Sequence, residues 1–134
     1  MEKIFHLEII TPDREFFNGA AESLIVTTTH GEMGILAGMM PMVANLANGV
    51  IKIKQNGKWL KAANGEGFLE INPSGVILLT QSAEWPDEIK VKAVEDEIGS
   101  LSEQLKKQQS LKEYKMAKAQ LARQLARLRI KKDI

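Results

Sequence analysis

The strongest chemical signal in the sequence is a group of cationic side chains near its C-terminal end. Residues 111–134 hold eight Lys or Arg and two acidic residues, although the whole chain has 18 basic and 17 acidic residues. On a helix with 3.6 residues per turn, five of the cations lie on the side opposite a run of leucines or at the edge of this cationic side. These five are Lys112, Lys115, Arg123, Arg127 and Lys131.

Arg123 and Arg127 are four residues apart, so on a helix their guanidinium groups are neighbours and repel each other. Such a pair suits an anion: a carboxylate patch, a phosphate or a nucleic acid. The alternative is a simply solvated face, in which cations near a helix C-terminus complement the helix dipole. Nucleic-acid binding has weaker support, because no helix-turn-helix or RNP-like pattern accompanies the cations.

Residue sets typical of enzymes are missing from the sequence. There is no Cys and there are only two His, His6 and His30, which excludes disulfides, a thiolate nucleophile and a His-built metal cluster. The glycine-rich segment Gly31–Gly38 lacks the lysine of a phosphate-binding loop, and we expect a tight, irregular turn there. Asp87 and Glu88 are expected to complement the dipole of a helix start. We therefore predict a protein without catalytic residues.

Turn-forming residues divide the chain near residue 84. Every Gly except Gly99, and every Pro except Pro86, lies in residues 1–83. Apolar residues alternate there over short runs, and Asn56-Gly57 is typical of a two-residue hairpin turn. From residue 88 the apolar residues recur every 3–5 positions, as in amphipathic helices. The pattern predicts an antiparallel β-sandwich over residues 1–84 and an antiparallel two-helix hairpin over residues 85–134.

The hairpin has an uneven charge distribution and a narrow predicted seam. Residues 84–110 hold four basic and seven acidic residues, so the first helix is acidic and the second basic. Leucines such as Leu121, Leu125 and Leu128 are expected to line the seam of the second helix. The sequence has no apolar run of about 18 residues and no secretory leader pattern, so we expect a protein that is cytoplasmic, or attached to a membrane only through partners.

Four segments together resemble the epsilon-subunit family of F-type ATP synthases. They are Leu7–Asp13, Gly31–Pro41, Gly65–Pro73 and Ala117–Arg129. The second is the most specific, being close to the family pattern Gly-Glu-x-Gly-Ile-x-x-Gly-His-x-Pro. Met39 takes the place of the His, so no role of that His is carried over.

The resemblance implies a non-catalytic subunit of the rotary central stalk, which couples proton translocation to ATP synthesis. Its location would be peripheral, at the cytoplasmic face of the cell membrane, without insertion into the bilayer. The β-sandwich is implied to bind the gamma subunit and the c-ring through a turn containing Gly31, Glu32, Gly34, Gly38, Met39 and Pro41. The helices are implied to extend into the alpha–beta hexamer and inhibit ATP hydrolysis, with the five cations against an acidic segment of the beta subunit.

Some bacterial members of the family also bind a regulatory ATP. The positions that match that site are Glu84, Ile89, Arg123 and Arg127. Lys90 and Ala93 stand where the family pattern has Asp and Arg. Losing a charge-assisted partner costs about 1.5–3 kcal/mol, so we predict that MgATP binds weakly or not at all and that no other cofactor is used. A stand-alone nucleotide sensor and a basic-helix nucleic-acid binder remain the competing hypotheses.

Overall fold

The computed structural model describes residues 3–107 and 111–132, excluding the side chains of residues 91, 103–107, 111–114 and 132. Ten strands come first and two helices follow. The strands are β1 (Phe5–Ile10), β2 (Glu15–Ala21), β3 (Ser23–Thr28), β4 (Gly31–Leu36), β5 (Met42–Leu46), β6 (Gly49–Gln55), β7 (Lys58–Asn64), β8 (Gly67–Asn72), β9 (Gly75–Thr80) and β10 (Ala83–Glu84). The helices are α1 (Val91–Lys107) and α2 (Leu111–Lys132). The predicted fold class, a β-sandwich followed by a helical hairpin, is confirmed.

The strands are joined in the order β10-β7-β6-β3-β5-β8-β9-β1-β2, with β4 paired to the free side of β3. All pairings are antiparallel except that of β1 with β9, which is parallel. The core lies between the inward faces and consists of aliphatic side chains at every second position, such as Leu7 and Ile9 in β1 and Ile51 and Ile53 in β6. Burying each of them contributes about 1.5–3 kcal/mol, so period-two alternation is what defines this part of the fold.

The Asn56-Gly57 turn is confirmed. Both residues have positive φ, 52° and 75°, as a type I′ turn requires. The prediction for Gly31–Gly38 was wrong in part, because Gly31–Leu36 is strand β4 and pairs over its whole length with β3. Met33 and Ile35 point towards the core with period two, and this pattern outweighs the turn signal of the glycines, of which Gly31 begins the strand, Gly34 lies within it and Gly38 follows it.

The first helix starts later than the sequence suggested. Pro86–Glu88 form a single 3-10 turn, and α1 begins at Val91. Asp87 and Glu88 therefore lie before the helix and do not cap its first turn, which holds no acidic residue. Ile89 is not part of α1 either, but its side chain is buried beside the sheet.

The two helices pack against each other, and α2 also packs on the outer side of β6 and β7. A second apolar cluster forms there, separate from the sandwich core, from Val50, Ala63, Ile89, Val94 and Ile130. No described helix is long and apolar enough to cross a bilayer.

The seam prediction for α2 was wrong at Leu125, whose exposed fraction is 49%. Ala126 and Ile130 are buried in its place. A helix with two neighbours, α1 and the sheet, buries a wider arc than the seam of a two-helix hairpin alone.

Candidate functional site

Helix α2 turns its cationic side towards the β domain. Arg123, Arg127 and Lys131 follow one another at four-residue spacing, so they form one stripe along the helix. All three are partly buried, and each donates a hydrogen bond to the strand part of the chain or to the linker after it. The expectation of a simply solvated face is therefore wrong for these three residues.

Arg127 makes the strongest contact of the stripe. Its Nε donates to Glu84 Oε2 at 2.7 Å, and its Nη1 donates to Gln124 Oε1 at 2.6 Å. The side chains of Arg127 and Glu84 are 20% and 30% exposed, so solvent screens this ion pair less than a fully exposed one. Gln124 is buried one turn earlier on α2 and fixes the plane of the guanidinium group.

Arg123 and Lys131 bind neutral acceptors on either side of that ion pair. Arg123 donates through Nε to Asn48 Oδ1 at 3.4 Å and through Nη2 to Gln81 Oε1 at 3.2 Å. Lys131 Nζ donates to the Pro86 carbonyl oxygen at 3.0 Å. The repulsion between Arg123 and Arg127 is thus relieved by separate acceptors on different segments of the chain, without a shared anion.

The structure brings together the four residues that match the regulatory ATP site. Glu84 and Arg127 are in direct contact, Arg123 lies one turn earlier on α2 with its own acceptors, and Ile89 is buried in the adjoining apolar cluster. Lys90 and Ala93 are exposed at the start of α1. Glu84 is already occupied by Arg127, so a nucleotide would compete with an existing ion pair for both residues.

The remaining predicted cations do not take part in this contact surface. Lys115 is exposed near the start of α2. The side chain of Lys112 lies outside the described part of the chain.

The segment Gly31–Pro41 lies elsewhere on the β domain, as β4 and the loop that follows it. Glu32, Gly34, Gly38 and Pro41 are exposed, whereas Met39 is half-buried. Met39 Sδ accepts a hydrogen bond of 3.3 Å from the Leu36 backbone N–H, so it helps to shape the loop.

Large apolar side chains are exposed around that loop, with Met40 reaching 83%. Its neighbours in this set are Leu36, Met42 and Val43. Exposed apolar side chains in a group are typical of an interaction surface, and methionines suit an adaptable one.

An open cavity of ≈ 880 Å³ lies at another end of the β domain, beside α2. Phe68 and Leu79 form its exposed apolar wall, and Ala122 closes it on the helix side. Among the described residues no group of His, Cys, Asp or Glu has the arrangement needed to hold a metal ion.

Sequence reasoning missed a second polar contact, between the β1–β2 turn and the segment that leads into α1. Arg14 Nη2 donates to Glu88 Oε1 at 2.7 Å and to the Ala83 carbonyl oxygen at 3.3 Å. The hydrogen bond from Arg14, with a second one from the Trp85 backbone N–H, lowers the pKa of Glu88. The same bond to Glu88 raises the pKa of Arg14. Because Arg14 and Glu88 are 74 positions apart, no local pattern could have indicated the pair.

Comparison with known proteins places this geometry in a family. Residues 4–86 match the family described as ATP synthase, Delta/Epsilon chain, beta-sandwich domain. The ATP synthase epsilon chain of Caldanaerobacter subterraneus subsp. tengcongensis is 41% identical over 131 residues, which is 97% of this chain and 95% of the relative. That of Ruminiclostridium cellulolyticum is 43% identical over 124 residues, 92% of each chain.

The fold also resembles chains in solved ATP synthases. A chain of the Euglena gracilis mitochondrial enzyme, in a structure of OSCP, F1 and c-ring, aligns with a TM-score of 0.78 at 22% identity, covering 91% of this chain and 77% of its own. A chain from the central stalk and c-ring structure of the Tetrahymena thermophila mitochondrial enzyme aligns with a TM-score of 0.66 at 14% identity, covering 98% and 99%. With its strands, helices and sequence in agreement with these relatives, the chain belongs to the ATP synthase epsilon-chain family and is a non-catalytic subunit of that complex.

Proposed function

We propose that this chain couples proton translocation to ATP synthesis as part of the rotor, and that its helices inhibit ATP hydrolysis. The proposal that the helices inhibit ATP hydrolysis rests on the cationic stripe of α2. Arg123, Arg127 and Lys131 are held by a few polar contacts around a small apolar cluster, outside the sandwich core. A partner with a stronger anionic surface can displace these contacts and bind the same cations.

In this proposal residues 1–84 are the docking domain and residues 85–134 the mobile regulatory one. The docking domain binds the gamma subunit and the c-ring through Gly31–Pro41, supported by the exposed Met40 and its apolar neighbours. The complex would lie at the cytoplasmic face of the cell membrane, with this subunit peripheral to it. The family supports this location through its assembly with a c-ring, which the solved relatives contain.

The extended helices would bind an acidic segment of the beta subunit. Arg123 and Arg127 are the leading contacts, and Lys112, Lys115 and Lys131 add to the same basic side. The proposal requires the ion pair of Arg127 with Glu84 to break before that contact forms, because the guanidinium group cannot serve both carboxylates in full.

Deletion of residues 91–134 tests the inhibitory role. In the reconstituted complex the truncated subunit should still assemble, because the sandwich core contains no helix residue, and ATP hydrolysis should rise above that of the full-length form. Assembly is checked by copurification with alpha, beta and gamma subunits. Unchanged hydrolysis in an assembled complex would refute inhibition by the helices.

Regulatory ATP is a secondary possibility that the geometry disfavours. Glu84 and Arg127 are engaged with each other, and Lys90 and Ala93 do not supply the expected carboxylate and guanidinium. Isothermal titration of the isolated subunit with MgATP should therefore give no binding in the low-micromolar range. A dissociation constant of a few micromolar would contradict this assignment.

A further inference from the structure

The segment between the last strand and α1 is attached to the β domain more firmly than to the helices. We define the linker as Trp85–Ile89. Its first residue stacks on β2, with the rings of Trp85 and Phe16 at 4.3 Å between centroids and 22° between planes. Phe17 adds an edge contact to the same indole at 6.5 Å. Aromatic pairs of this geometry add to the area they bury.

The linker's fourth residue is bound by the β1–β2 turn. Arg14 Nη2 donates to Glu88 Oε1 at 2.7 Å, and the guanidinium carbon lies 5.0 Å from the centroid of Phe16. The same nitrogen also donates to the Ala83 carbonyl oxygen. Arg14 thus joins the carboxylate, the aromatic stack and the last strand in one unit, which we name the linker clasp: Arg14, Phe16, Trp85 and Glu88.

Backbone hydrogen bonds close the linker on itself. The Trp85 N–H donates to Glu88 Oε1 at 2.8 Å, and the Glu88 N–H donates to the Trp85 carbonyl oxygen at 3.0 Å. The Ile89 N–H donates to the Pro86 carbonyl oxygen at 3.2 Å. These hydrogen bonds define the turn at Trp85–Glu88, whereas Ile89 also packs beside Val94 and Ile130 of the helices.

The helices hold the linker through fewer polar atoms. Among the described residues, Lys131 supplies the hydrogen bond from the helices to the linker, by its contact with Pro86. After Ile89 the chain is exposed at Lys90, and the helical hydrogen bonds begin with the Val94 N–H donating to the Lys90 carbonyl oxygen.

We propose that, within residues 85–134, the linker stays with the β domain when the helices leave it, so that the moving part begins at a pivot at Lys90. This inference rests on the proposed function only in assuming that the helices move. The linker clasp then sets the point from which the hairpin swings. Releasing the five linker residues would lengthen the tether by about 17 Å, at 3.3–3.6 Å per extended residue, and would loosen the direction in which the helices point.

Amide hydrogen exchange on the full chain tests the pivot. The double variant Arg127→Ala with Lys131→Ala removes contacts from the helix side only. Exchange in α1 and α2 should increase by about tenfold or more, whereas peptides covering residues 85–89 should change by less than about twofold. If residues 85–89 lose protection together with the helices, the pivot at Lys90 is refuted.

The reverse experiment breaks the clasp and has a matched control in the same turn. Glu88→Ala removes the bonds from Arg14 and from the Trp85 N–H and should raise exchange in residues 85–89 by about tenfold, because solvent screening reduces the contribution of this exposed ion pair. Asp87→Ala removes an exposed neighbouring carboxylate and should leave that exchange unchanged. Equal effects of the two substitutions would overturn the role of the clasp.

Tryptophan fluorescence gives a second measurement in case a variant alters the wider fold. The chain has two Trp, so Trp59→Phe leaves Trp85 as the reporter. In that background Glu88→Ala should increase acrylamide quenching, and the double helix variant should not. These readouts do not involve ATP hydrolysis, so a failure of the pivot is distinguishable from a failure of inhibition by the helices.

Discussion

The ion pair between Glu84 and Arg127 leads to a sharp prediction. Substitution of the one partner should have the opposite effect on ATP hydrolysis to substitution of the other. Removing Glu84 frees Arg127 but leaves its charge available to the acidic segment proposed on the beta subunit. Removing Arg127 loses both contacts. We therefore expect Glu84→Ala to lower ATP hydrolysis by the reconstituted complex and Arg127→Ala to raise it.

The magnitude follows from the geometry of the pair. Its Nε–Oε2 distance is 2.7 Å and both side chains are less than one-third exposed, which is the setting of a charge-assisted hydrogen bond with modest solvent screening. Such a bond contributes about 1.5–3 kcal/mol, and screening together with the remaining bond from Arg127 to Gln124 reduces this to about 1–2 kcal/mol. The equilibrium between folded and extended helices should shift by about 5–30-fold.

Steady-state hydrolysis by the assembled complex, measured at low and at moderate salt, is the assay. Glu70→Ala is the matched control, because it removes an exposed carboxylate of β8 away from α2. The Arg127→Ala effect should shrink as salt screens the contact with the acidic partner. If Glu84→Ala raises hydrolysis as Arg127→Ala does, the pair does not hold the helices back and the reasoning fails.

Two further predictions concern stability. Ile130→Ala, in the cluster between α2 and the sheet, should weaken the attachment of the helices by about 2–5 kcal/mol. Amide exchange in α2 should increase while the sandwich keeps its protection, and the exposed Met116→Ala is the control. Loss of protection in the sandwich would contradict the existence of two separate cores. Because the pKa of Glu88 is lowered in the folded chain, the contribution of Glu88 to stability is present above its ordinary pKa of 4.5 and is lost as the pH falls through the lower folded pKa. Trp85 fluorescence should therefore report release of the linker on acidification. In Arg14→Ala this pH-dependent loss should be smaller, and an unchanged profile would exclude Arg14 as its main cause.

The sequence predicted the two-part fold because the relevant signals are local. Alternation in segments such as Val50–Lys54, and the Asn56-Gly57 turn, depend on residues next to each other and were confirmed. Strand β4 was misread because three glycines suggested a loop, whereas pairing with β3 over six residues decides its conformation. Leu125 was placed in the seam because a helix considered alone gives no sign of a second neighbour.

The cations of the candidate site were recognisable in the sequence, whereas their acceptors and the geometry of the contacts were not. The spacing of Arg123 and Arg127 indicated that the two guanidinium groups need hydrogen-bond acceptors. In the structure these acceptors are Asn48, Gln81 and Glu84. Asn48 and Gln81 lie in loops and Glu84 lies in β10, and only the sheet topology brings these segments to α2. The linker clasp could not be predicted from the sequence for the same reason, because Arg14 and Glu88 meet only in the tertiary fold.

The small cluster under α2 has a consequence for the surface that a departing hairpin leaves behind. On the side that stays behind it involves Val50 and Ala63 of the sheet and Ile89 of the linker, whereas the helices contribute Val94 and Ile130. Detachment would therefore uncover the apolar side chains of these three residues, a small group compared with the long apolar edges that favour aggregation. In the proposed extended state, this flank of the β domain would thus face water without a large apolar patch.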